Sequence, residues 1–110
     1  MAATHDIGTD LAAEARAIVA TAGAHLAWRD DEGELHVHPL TKDWTRIGRS
    51  LAADVRFEDP SVLRRHALVV RDPDGVRVLD ERRDEQVAWR ELHDGDEIDV
   101  GRFRLVFVDG

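Results

Sequence analysis

The strongest constraint in this sequence is its punctuation. Tight-turn signals, "DDEG" at 30–33, "DPDG" at 72–75 and "HDGDE" at 93–97, interrupt a series of short apolar runs. Asp-Gly between two such runs is the best short-range sign of a β-hairpin, and Pro and Gly supply backbone angles that strand interiors do not use. The runs are strand-sized: His25–Trp28, Glu34–Leu40, Trp44–Ile47 ending at Gly48, Val55–Phe57, Ala67–Arg71, Val76–Leu79, Ile98–Val100 and Phe103–Val108. No helical crossover lies between them, which argues against a parallel α/β sheet and predicts an all-β, antiparallel sandwich or barrel.

One segment departs from this pattern. Leu11, Ala15, Ile18 and Ala22 recur at helical spacing and predict a short amphipathic helix over 10–22, with Thr9 or Asp10 at its start and Gly23 at its end. Its apolar face is narrow and alanine-rich, so it is expected to dock on the domain or on another protein rather than stand alone. The chain therefore divides into an N-terminal segment, residues 1–23, and a β domain, residues 24–110.

Composition narrows the function. A chain of 110 residues has room for one domain with its own core. It has no cysteine, which removes disulfides, thiolate metal sites and cysteine nucleophiles, and fits a reducing compartment. No apolar run reaches the ~18 residues of a membrane span. The N-terminus has no basic start, and Glu14 and Arg16 interrupt its apolar part, unlike a signal peptide. A cytoplasmic protein without membrane contact is expected. The net charge of −8 argues against nucleic-acid binding. That charge is uneven. Residues 41–71 hold seven basic side chains (Lys42, Arg46, Arg49, Arg56, Arg64, Arg65, Arg71) against four acidic ones, a local +3 that leaves −11 for the remainder. An anion site on an acidic protein and an ordinary solvated surface both fit.

Other constellations are weaker. His36 and His38 alternate along one strand and share a face, with His25 on the expected hairpin partner, so a metal site and plain polar strand positions are the two readings; no metal is expected. Serine occurs only at 50 and 61, which leaves no basis for a serine hydrolase. Trp28, Trp44 and Trp89 are expected to serve as core or hairpin cover.

The ordered string is more specific than any of its parts. "TRIGRS" at 45–50, "ADVRFEDPSVLRRHALV" at 53–69, "VRVLD" at 76–80 and "LHDGDEIDVGRFRLVF" at 92–107 together resemble the forkhead-associated (FHA) domain, over about residues 24–110. The resemblance implies an FHA-like antiparallel β-sandwich with no enzymatic activity and no cofactor. It also implies a protein partner carrying a phosphothreonine peptide, bound by loops at one end. It places the family's Gly-Arg on Gly48 and Arg49, whose planar guanidinium suits a phosphate, with Ser50 as a further donor. The family's Ser-x-x-His falls on 63–66. His66 takes the loop-bracing role, Arg64 the basic position facing an anion and Arg65 a solvated charge. The serine position is Leu63, whose alkyl side chain cannot donate to phosphate, and Ser61 is not expected to point the same way.

A second departure follows. The family's Asn-Gly-Thr recognition loop is missing, because the chain has no Asn and no Gly between 75 and 95. "LDERRDEQVAWREL" at 79–92 is short for this stretch, and Asp84 and Glu85 bring negative charge to it. Two readings of activity follow from the resemblance: an interaction module with a degenerate phosphothreonine site, or a working reader using Arg49, Ser50 and Arg64 in a rearranged pocket.

Overall fold

In the computed structural model the described residues are Ala13, Ala15, 23–81 and 89–109. They form nine strands: β1 His25–Arg29, β2 Leu35–Pro39, β3 Trp44–Gly48, β4 Val55–Arg56, β5 Ala67–Asp72, β6 Gly75–Asp80, β7 Trp89–Glu91, β8 Glu97–Val100 and β9 Phe103–Val108. Two sheets result, one ordered β2-β1-β9-β8 and the other β4-β3-β5-β6-β7. Every pairing is antiparallel except β3 with β4, where Ile47 lies opposite Val55 in a two-residue parallel contact. The all-β two-sheet sandwich expected from the turn pattern is the fold observed.

Alternation explains how the sheets close on each other. Leu26 of β1, Leu105 and Phe107 of β9, and Ile98 and Val100 of β8 point inward from one sheet. Ile47, Val55, Val69 and Val78 meet them from the other. Residues two apart on a strand share a face, so a period of two builds this layer directly. Phe57, whose ring stacks on Phe103 at 4.5 Å between centroids, closes the core beneath the loops.

The run Leu105–Val108 is apolar on both faces, and both faces are covered. Val106 and Val108 point outward with Ala27 and bury against Ala15. The helix expected over 10–22 lies outside the described residues apart from Ala13 and Ala15. Both of these are helical, Ala15 fully buried and Ala13 exposed.

Two expectations are corrected, and the three histidines are placed. The Asp-Gly turn at 94–95 does not close a hairpin: it carries the chain from β7 in one sheet to β8 in the other. Trp28 packs on the core, but Trp44 and Trp89 are 55% and 46% exposed on the outer face of the five-stranded sheet, so they cover no core. His25 stands opposite Pro39 on the outer face of β1, whereas His36 and His38 face inward beside Trp28 and Leu26; the three histidines do not converge. A different group, Asp30, Glu34 and His36, gathers at the β1–β2 turn, where Asp30 Oδ2 and His36 Nε2 lie 2.8 Å apart.

Candidate functional site

The loops at the C-terminal end of β3 converge through backbone contacts. The Arg49 amide donates to Leu63 O at 2.9 Å, the Ser50 amide to Arg64 O at 3.2 Å and the His66 amide to Ile47 O at 3.0 Å. This ladder presses segment 62–66 onto the end of β3. It also explains Gly48. A Cβ there would lie 2.2 Å from Arg64 O, so the position admits only glycine because another backbone passes over it. Its dihedral is not the left-handed kind, so the need for glycine is a close approach and not a turn.

His66 is buried and braces the same loop from within. The Leu63 amide donates to His66 Nδ1 at 3.1 Å, which makes that ring nitrogen the acceptor. The amide of Glu81, at the end of β6, donates to His66 O at 3.1 Å. Three segments meet at one histidine.

Arg49, Ser50 and Arg64 line one open depression, together with Leu51, Arg56 and residues 58–60. Arg49 Nε donates to Val62 O at 3.0 Å, which fixes the guanidinium and leaves its Nη fork unused by any described residue. Ser50 Oγ accepts from the Ala52 amide at 3.1 Å, and among the described residues no acceptor takes its hydroxyl proton. Among the described residues neither Arg49 nor Arg64 pairs with a carboxylate. Arg56 does, with Glu58 Oε1 at 2.9 Å. The arrangement is a fixed, partly uncompensated cationic surface suited to an anion.

Leu63 holds the loop with its main chain and exposes its side chain, which is 46% accessible. Ser61 does not take its place. Its hydroxyl donates to Asp59 Oδ1 at 2.6 Å and accepts from the Arg102 amide at 3.1 Å. Arg102 in the β8–β9 turn donates through Nε to Asp59 Oδ2 at 2.7 Å and pairs with Asp31 in the β1–β2 turn. Three turns are thereby tied together beside the depression. The Ser61 hydroxyl, the Ser61 amide and Arg102 together hold the Asp59 carboxyl down at about 2. Gly101, at φ 59°, passes so close to Ser61 that a Cβ would fall 2.4 Å from its Oγ.

This group went unread in the sequence because its contacts span 43 and 71 residues, and no local pattern marks such a pair. Arg56 had a local signal, its outward place between inward Val55 and Phe57. Asp84 and Glu85, and most of the shortened 80–92 stretch, lie outside the described residues.

The FHA domain profile matches residues 45–101, from β3 through the β8–β9 turn. The chain belongs to the FHA domain family. FHA domains are non-catalytic interaction modules that bind phosphothreonine peptides. Sequence relatives include the oxoglutarate dehydrogenase inhibitors of Corynebacterium diphtheriae, 34% identical over 82 residues, and Corynebacterium efficiens, 37% identical over 82 residues. Each match covers 64% of this chain, and the chain spans about half the length of these relatives, 54% and 55%. A solved FHA domain studied for phosphothreonine-dependent interactions superposes with a TM-score of 0.65 at 24% identity, covering 79% of this chain and 96% of that one. This FHA domain reaches beyond the profile match, since β1 and β2 precede it and β9 follows it in the same sheet.

Proposed function

We propose that this chain is a non-enzymatic protein-interaction module, residues 24–110 behind an N-terminal segment 1–23, whose phosphothreonine-peptide site is degenerate. The observation that carries this reading is Leu63. Its backbone atoms meet Arg49 and His66 as the loop requires, while its side chain offers no donor to a phosphate. A hydrogen bond to a charged group contributes about 1.5–3 kcal/mol. With the asparagine contacts absent as well, the loss is roughly 3–5 kcal/mol, enough to turn a micromolar site into a millimolar one. Arg49 and Arg64 offset little of this, because an exposed ion pair in water gives about 0–1 kcal/mol.

A second reading, a working phosphothreonine reader, is favoured by the unused Nη fork of Arg49 and by Ser50 and Arg64 in the same depression. Titration with a phosphothreonine peptide library, against unphosphorylated controls, separates the two. Dissociation constants weaker than about 100 μM support the degenerate site. Tighter binding that vanishes in Arg49→Ala supports the reader and overturns the first reading. The partner is a protein in the cytoplasm, and the acidic surface disfavours nucleic acid. Given the name of the corynebacterial relatives, an oxoglutarate dehydrogenase is the first partner to test in a pull-down.

A further inference from the structure

A second depression adjoins the first and shares Ser50 and Arg64 with it. Its other polar lining residues are Arg46, Arg65 and Glu81, with Ile47, Ala52 and Ala53 completing the lining. Among the described residues Arg46 and Arg65 pair with no carboxylate, as is true of Arg49 and Arg64. Four guanidinium groups without a carboxylate partner among the described residues thus line the two adjoining hollows of a chain of net charge −8. Arg46 is half-buried on β3, its backbone amide bonded to Asp54 Oδ2 at 2.9 Å, so its position is set by the sheet. Among the described residues that line it, three arginines stand against one glutamate, a cationic balance.

We propose that the second depression binds a second anion, so that the module's partner segment carries two anionic residues close together in sequence. The inference rests on the first depression taking the phosphate. Arg64, between the two hollows, belongs to both and couples them. Like charges held together by the fold repel until a ligand neutralises them, and one extended segment with two negative groups relieves both hollows at once. Guanidinium forks donate to carboxylate and phosphate oxygens alike, so the second group is an anionic oxygen cluster of either kind. This compensates in charge for the hydroxyl that Leu63 removes, and it gives a degenerate site a route to useful affinity.

The test is fluorescence anisotropy on the full chain with peptides bearing one phosphothreonine, and a second phosphothreonine or a glutamate placed one to four residues to either side. At one spacing at least, the second anion is expected to tighten binding about threefold to fivefold, the yield of an exposed ion pair. Arg46→Gln/Arg65→Gln abolishes that gain while leaving the singly phosphorylated peptide unchanged, and Glu81→Gln enlarges it. Arg65→Glu, on an exposed loop, repeats the loss without touching β3, and a thermal melt verifies folding. No gain at any spacing, or a gain that persists in both Arg65 variants, overturns the proposal. Comparing the glutamate and phosphate arms tells which anion is preferred. Arg49→Ala separates this result from the preceding reading: weakened single-phosphate binding without any second-anion gain sinks only the second site. A gain independent of Arg49 leaves the second site standing and sinks the assignment of phosphate to the first.

Discussion

At the scale of a single residue, Leu63 changes one side chain and leaves its loop in place. Leu63→Ser restores one charge-assisted donor, so phosphopeptide affinity is expected to rise about tenfold and remain weaker than micromolar, as read by titration. A jump to tight binding overturns the degenerate reading. Gly48→Ala acts in the opposite way. The new methyl meets the Arg64 carbonyl at 2.2 Å, and the loop must move off β3. Urea denaturation is expected to show a loss of about 1–3 kcal/mol or more, the cost of overpacking against backbone. The sequence displayed Gly48, Leu63 and His66 by their order along the chain, but not the reason each is needed. Gly48 reads as a strand end and is a crossing point. His66 reads as part of a motif and is an internal brace. Such reasons lie in contacts between segments that no periodicity carries.

At the scale of elements, the turns and the long strands were legible because turn chemistry and two-residue alternation are local. β5, β6 and β9 follow their apolar runs to within a residue or so. β7 was not legible: all three of its residues are exposed, so no alternation marks it. Nor was the β3–β4 parallel contact, since two residues have no period. The connection among Asp31, Asp59 and Arg102 belongs to this scale, because it fastens three turns. Asp59 has a folded-state value near 2, below the ordinary carboxylate. Its contribution to stability is therefore complete above about pH 5 and is lost as pH falls from about 4 through about 2. Asp59→Asn is expected to flatten the stability profile across that window in urea melts taken at successive pH values. Arg102→Ala is expected to speed hydrogen exchange at the Ser61 amide while leaving β5 protected, because it frees the turns and not the sheet.

At the scale of the molecule, one core joins both sheets, and Phe107 lies at its centre, 1% exposed. Phe107→Ala is expected to cost about 3–5 kcal/mol in equilibrium unfolding. The outer face of the four-stranded sheet is a separate matter. Ala15→Asp sets a carboxylate against Val106 and Val108, so a loss of about 1–3 kcal/mol is expected without damage to the central core. The charge pattern also acts globally, since the cations gather at one end of an acidic body, and peptide binding is expected to weaken as salt rises. Finally, His25 lies opposite Val108, while the turns that follow β1 and precede β9 sit beside the depression. The polypeptide thus enters and leaves the sandwich side by side, at the pole farthest from its recognition loops. With its first and last described strands starting and finishing at adjacent points, the domain holds both ends on one side and its recognition loops on the other.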